Sequence, residues 1–556
     1  MDDSSSYPTI EPTNFDLIVV GTGLPESVLA AAASAAGKTV LHLDSNSFYG
    51  GHFSSLPLDE LSSFLQSQSS PSSPIPAPAP TDANFITLDL ISRPLFFDVE
   101  ISSHSSEPLK HSRKFNLDLG GPKVLFCADS AVNFMLKSGA SQYMEFKSVD
   151  ATFVFDGEGK FSSVPDSRSA IFKDATLGLA EKNRLGSFFK LVEGHLKAGD
   201  SENGERKRIS EEDLESPLVE FMTKMRLSSK MKSIILYAIA LADYDQDNME
   251  VCKDVLKTKD GIDYFALYLS SVGRFPNVPG AFIYPVYGQG ELPQAFCRRA
   301  AVKGSLYVLR MPVNALIIDK DDGSYKGVKV ASGQELFSHQ IVMGPSFKVP
   351  SSLIESLPDL PQARLKGLVM QDVQGKVARG ICISNGSLKP DVSNFLVVYP
   401  PKSLYPEQVT SIRVLQIGSG LAICPSGMFV MYLSALCDEP TQGKKLLHAA
   451  VNSIFSVPIS GAPENGSGDE SENTTSKPAL LWSALYIQEL TKSAFEVTAA
   501  APMPDGSLNY NDILESTKKL FQSLFPQEEF FPEMTLSEQD DDGGVDHTSN
   551  NDDSLE

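Results

Sequence analysis

Residues 16–44 read DLIVVGTGLPESVLAAAASAAGKTVLHLD, and this stretch constrains the fold more tightly than any other in the chain. An apolar strand runs into Gly21-Thr-Gly23, a helix of small residues follows, and a second apolar strand ends on Asp44. That order opens a nucleotide-binding-like α/β sheet. In a working dinucleotide loop the first glycine makes the tight turn, the second lets backbone approach a pyrophosphate, and the third lets helix pack close to strand. Gly21 and Gly23 keep two of those roles. Glu26 stands where the third glycine belongs, and its carboxylate favours the helix dipole but repels a pyrophosphate. Asp44 occupies the place of an acid that binds a ribose hydroxyl. Alone, the motif leaves two readings open: a degenerate flavin site, or the structural relic of one.

A chain of 556 residues outgrows a single core, so two or three domains are expected. Its longest apolar stretch, from Ile234 to Ala242, falls well short of the roughly 18 residues that suggest a membrane span. The opening MDDSSSYPTIEPTNFD is acidic and polar, unlike a signal peptide, and a cytosolic location is expected. Cys127, Cys252, Cys297, Cys382, Cys424 and Cys437 are dispersed without a C-x-x-C pair, which favours buried thiols over zinc or a disulfide framework. A net charge of −23 disfavours nucleic acid, which needs a basic footprint. Neither an H-x-x-x-H pair, a G-x-S-x-G elbow nor a G-x-x-x-x-G-K-[ST] loop offers a catalytic constellation.

Low-complexity segments divide the chain. SQSSPSSPIPAPAPTD (67–82) and GAPENGSGDESENTTSKP (461–478) are expected surface insertions, and residues 536–556 an acidic disordered tail. Residues 1–164 form the first part of a sheet-rich domain. Between 165 and 275 the pattern becomes helical: Leu185, Phe188, Phe189, Val192 and Leu196 recur at 3.6-residue spacing, as do Leu218, Phe221, Met222 and Met225. From 276 to 535 strand-like runs return, so the first domain is interrupted by a helical one and then resumed. An amphipathic helix is expected over 510–525.

Three longer blocks, DSNSFYGGHFSSL (44–56), QYMEFKSVDATFVF (142–155) and YPVYGQGELPQAFCRRAAVKGSLYVLRMPV (284–313), closely resemble the conserved regions of the Rab GDP-dissociation inhibitor and Rab escort protein superfamily. The resemblance implies a flavin-monooxygenase-like fold that has lost its FAD or NAD and binds no cofactor, with a helical domain inserted. The chain's length, its Ser/Pro insertion and the segments LLWSALYIQ and STKKLFQSLFPQEEFFP place it on the escort side. That side implies a non-catalytic subunit that binds newly made GDP-bound Rab GTPases and presents them to the α/β heterodimer of Rab geranylgeranyl transferase. It then carries the geranylgeranylated product to a membrane in transient contact. The alternatives are a dissociation inhibitor that recycles prenylated Rabs and, in another class, an FAD-dependent oxidoreductase using Gly21, Gly23 and Asp44.

The same resemblance implies a Rab-binding platform at Tyr49, Glu291 and Arg298, with Val308 where the inhibitors carry a Met. Glu291 and Arg298, seven residues apart, span two helical turns and share one face. The block RFPNVPGAF matches a mobile effector loop, with Arg274 and Phe275 in it, and is about two residues longer than in relatives. Lipid binding is assigned to the helical domain. Burying an isoprenoid of about 20 carbons at ~0.8 kcal/mol per CH₂ yields on the order of 10 kcal/mol. Leu185, Phe188, Phe189, Val192, Ile234, Ile235 and Ala238 are groove candidates, and Phe265 and Tyr268 are candidate transferase contacts.

Overall fold

The computed structural model describes residues 7–68, 82–165, 170, 177–199, 208–355, 373–456, 477–491, 499–502 and 505–532. Most of both expected insertions and the whole acidic tail lie outside the described residues.

Two eight-stranded sheets carry the chain. In the first, Asn14–Val20 lies between Val40–Leu43 and Glu335–Met343, parallel to both, and Leu306–Val308 extends the edge beside Val40–Leu43. Tyr325–Val330, Val313–Asp319 and Phe85–Asp89 follow in antiparallel register, and Ala499–Ala500 pairs parallel with the end of Glu335–Met343 as the eighth strand. Val40–Leu43 and most of Asn14–Val20 are buried, as apolar runs without alternation require, while the edge strand Leu306–Val308 is half-buried. The second sheet is antiparallel except where Ala151–Phe155 pairs with Phe395–Tyr399. Its longest pairing, next to one edge, joins Val373–Ser384 to Leu480–Thr491, so strands far apart in sequence meet there.

Helix Leu24–Ala35 covers the first sheet. Its alanines, all but one fully buried, let it pack against helix Glu291–Val302 and helix Asn511–Leu524. The predicted helical region holds Leu179–Gly199, Leu218–Lys224, Ser229–Ser233 and Thr258–Ser271. Between the last two, Ile234–Ile239 is wound as a π-helix with all six residues buried.

The helical region does not close around a core of its own. Its buried residues run without a break into those of the second sheet, from Phe188 and Phe265 through Ile235 to Leu415, Tyr432 and Trp482. Polar contacts join the two as well: Asp245 N donates to Val409 O at 3.0 Å, Ser411 Oγ donates to Ala242 O at 3.1 Å, and Arg413 pairs with Asp243 at 2.7 Å. The apolar periodicities marked the helices correctly. They did not show that the inner faces of those helices are shared with strands more than a hundred residues later.

Among the described residues no helix is long and apolar enough to cross a membrane. Five cysteines are buried, as read from sequence; Cys252 is only half-buried.

Candidate functional site

The turn YGQGEL is held from below by a buried carboxylate. Asp118 accepts from Ser55 Oγ at 2.5 Å, from Gln289 N at 2.9 Å and from the Tyr284 hydroxyl. Ser55 Oγ in turn accepts from Gly290 N at 2.8 Å. A Cβ at Gly288 would stand 2.5 Å from Ser55 Oγ and 2.6 Å from Asp118 Oδ1, and its φ of +103° lies in the left-handed region. Only glycine fits there. Burial pushes the Asp118 carboxyl up to about 7, against the hydrogen bonds that favour its ionised form.

This anchored turn launches helix Glu291–Val302, which places Glu291 half-buried at its first position and Arg298 exposed two turns later. No ion pair joins them among the described residues. Arg298 instead lies over the Tyr143 ring at 4.8 Å, and desolvation raises the Glu291 carboxyl. Tyr49 is half-buried and meets Tyr307 edge-to-face at 6.2 Å; desolvation and then Cys297 raise its phenol. Val308 follows Tyr307 in the edge strand and packs partly on the core beneath the first sheet. Tyr49, the helix bearing Glu291 and Arg298, and the strand bearing Val308 therefore converge on one edge of that sheet. Tyr307, buried at its hydroxyl and packed on His42 at 4.6 Å, joins them to one another. Sequence reading missed it: SLYVL is apolar at four successive positions, and strand geometry alone puts Tyr307 and Val308 on opposite faces.

The platform helix is braced from behind. Phe296 stacks on Phe134 at 5.4 Å, Phe134 stacks on Phe530 at 5.4 Å, and Phe531 reaches Phe296 at 6.3 Å. In the adjoining loop, Arg274 is exposed, donates from Nη2 to Asn133 Oδ1 at 3.1 Å and lies over Phe275 at 5.9 Å.

The lipid-groove candidates are placed otherwise than an open groove needs. Leu185, Phe188, Phe189, Val192, Ile234, Ile235 and Ala238 are all 3% exposed or less, with Phe265 4.6 Å from Phe189 and 5.5 Å from Phe188. They form a closed apolar cluster. Phe265 and Tyr268, expected as transferase contacts, are 1% and 3% exposed and present no surface to a partner. Composition could not tell the inward face of helix Thr258–Ser271 from its outward one.

The glycine loop has been refitted from within. Glu26 is 3% exposed and its side chain folds back over Gly23, where an added Cβ would stand 2.4 Å from Glu26 Oε2. The second glycine thus makes room for a carboxyl of the chain itself. Asp44 accepts from Thr22 N at 2.9 Å, Thr22 Oγ1 at 2.6 Å, Asn46 N at 2.8 Å and Asn46 Nδ2 at 2.9 Å. Its acceptor capacity is spent inside the protein, so a ribose hydroxyl would have to displace Thr22 or Asn46. Desolvation pushes the Glu26 carboxyl up to about 8. These residues do not fit a dinucleotide: the space over Gly23 is filled, and the ribose ligand is already satisfied.

The family model described as GDP dissociation inhibitor matches residues 11–79 and 81–454. Rab escort protein 1 of Arabidopsis thaliana is 56% identical over 98% of this chain and 99% of its own length. A Mus musculus protein named Rab proteins geranylgeranyltransferase component A 2 is 27% identical, covering 94% of this chain and 97% of its own. Among solved structures, Rab GDI from Plasmodium falciparum superposes with a TM-score of 0.65 at 19% identity, over 93% of this chain and 99% of that one, and shares the fold. A family match across four-fifths of the sequence and a relative identical at more than half its positions lead to one conclusion: this chain belongs to the GDP dissociation inhibitor family.

Proposed function

We propose that the chain acts as a Rab escort protein: it binds newly made GDP-bound Rab GTPases, offers them to Rab geranylgeranyl transferase and carries the lipidated product to a membrane. The observation that carries this reading is the 56% identity to a Rab escort protein, sustained over nearly the whole of both chains. The geometry supports it. Arg298 is exposed and unpaired with Glu291, on a helix whose turn is fixed by Asp118 and whose rear is fixed by Phe296, so a charged group is presented without freedom to wander. On this reading the protein is an accessory subunit working in the cytosol, Tyr49, Glu291, Arg298 and Val308 face the GTPase, and Arg274 and Phe275 belong to the adjoining contact loop. No catalytic role is assigned to any residue, and the transfer chemistry belongs to the partner enzyme.

Lipid is taken up by the helical region. Because Leu185, Phe188, Phe189, Val192, Ile234, Ile235 and Ala238 are closed against one another, an isoprenoid enters only if these helices part. The π-wound Ile234–Ile239 is the segment whose backbone ladder is least regular for that movement.

The second reading, a dissociation inhibitor, is favoured by the description of the matched family itself. Reconstitution separates the two. Full-length protein added to an unprenylated Rab, the transferase and labelled geranylgeranyl diphosphate is expected to support label transfer. Protein that binds prenylated Rab but stimulates no transfer to unmodified Rab moves the assignment to dissociation inhibitor.

A further inference from the structure

Glu26, His52 and Arg93 line one cavity, and each carries a buried polar atom without a partner among the described residues: Glu26 Oε2, His52 Nδ1 and Arg93 Nη2. The cavity, about 110 Å³, lies at the N-terminus of helix Leu24–Ala35. It is lined by the glycine loop, His52 and Phe53, Ser92 and Arg93, and the turn Gly344–Phe347. It plays no part in the platform. Buried polar groups in native proteins are almost always satisfied, so three stranded around one space point to something that fills it.

The free valences have one character. Arg93 spends Nη1 on Glu489 at 2.8 Å, which leaves its second arm over. The Glu26 carboxyl, pushed up to about 8 by burial, keeps its proton at neutral pH and can donate. His52, held down to about 4 by burial, is a neutral imidazole with one N–H to place. The other carboxylates facing this space are already engaged: Asp44 by Thr22 and Asn46, and Glu489, behind Arg93, by the guanidinium. Donors therefore outnumber acceptors at the positive end of a helix dipole.

We propose that this cavity binds one small tetrahedral oxyanion, of the sulfate or phosphate class, through Arg93, His52 and Glu26. The space suits a single ion. Above the titration of Glu26 the third donor becomes a charged acceptor and expels the ligand.

Calorimetric titration of the full chain with sulfate, whose charge is constant from about pH 6 to about pH 9, tests this. Saturable binding is expected at the lower pH and a loss of about tenfold or more at the higher one. Glu26→Gln, which keeps an N–H donor and cannot ionise, should bind equally at both. Arg93→Lys keeps the ion pair with Glu489 but lacks the second arm, and should bind about tenfold more weakly at an unchanged melting temperature. No saturable heat in the tens-of-millimolar range overturns the proposal, and so does binding indifferent to Arg93→Lys, which marks an adventitious ion only. Loss of binding in Glu26→Gln also overturns it, since the carboxylate would then be serving a cation.

Discussion

The glycine-loop end of the first sheet and the helical region against the second are both almost closed to solvent, yet they are closed by opposite means. At the loop, closure is polar: Asp44 is held by four hydrogen bonds and Glu26 is folded over Gly23. In the helical region, closure is by volume: Phe188, Phe189, Phe221 and Phe265 meet tilted or edge-to-face with no polar atom among them. Polar closure is directional and answers to pH, because each group needs its partner in one protonation state. Apolar closure answers to size, and can open and reseal without leaving a donor stranded.

The contrast is broken most forcefully at Phe188. Phe188→Ala should cost about 3 to 5 kcal/mol, since the ring is 1% exposed and its loss leaves a cavity. Because the core is continuous with the second sheet, hydrogen exchange should quicken in strand Ile412–Gly418 as well as in the helices. Protection lost from the helices alone would mean that the two regions are energetically separate after all.

The next test acts on the polar side. An acid raised from 4.5 to about 8 binds a proton more tightly folded than unfolded. Stability is therefore highest below about 4.5 as far as Glu26 is concerned, falls as pH rises through that window, and levels off above about 8. Asp118, raised from 3.8 to about 7, adds a slope of the same sign between those values. Urea unfolding at a series of pH values should show Glu26→Gln flattening the upper part of this decline, from about 7 to about 8, while Phe188→Ala leaves the slope intact. A slope unchanged in Glu26→Gln would mean that the carboxyl is already hydrated in the native state.

Smaller effects sharpen the picture at the platform. Arg298→Ala should weaken Rab binding by about 1 to 3 kcal/mol without altering the melting temperature, because the guanidinium is exposed and its contact is the Tyr143 ring. Equal affinity for Rab in a folded variant would reduce Arg298 to surface decoration. Gly23→Ala should cost least, about 1 kcal/mol, since the new methyl meets the end of a side chain and not backbone. A cost several times larger, by thermal melt, would show that Gly23 serves the turn itself.

What could be read in advance follows the same division. The turn, strand and helix of 16–44 and the apolar stripes of the helical region are periodic and local, so sequence exposed them. Glu26 was marked as misplaced, but its refolding over Gly23 depends on the approach of the Gly344 turn, three hundred residues away. Thr22 and Asn46 carry no signal that they will saturate Asp44. Arg93 sits in a segment without a motif, and the block that holds His52 says nothing of Arg93, so their convergence on one cavity had no trace in the spacing. The run IILYAI is apolar on every side, and a helix with no polar face does not reveal how many residues make its turn. Phe265 and Tyr268, expected as transferase contacts, turn inward instead, because only the packed core decides which way they point.

The aromatic brace behind the platform helix has a consequence for genetics. A screen for variants that fail to hold a GTPase would return Arg298, but also Phe530 and Phe531, which reach Phe134 and Phe296 and need touch no partner. The two groups of alleles would differ in temperament. Changes at Arg298 should be defective at every temperature, whereas changes at Phe530 or Phe531 should be conditional, normal in the cold and lost on warming, because they loosen the mounting of a contact and leave the contact itself in place.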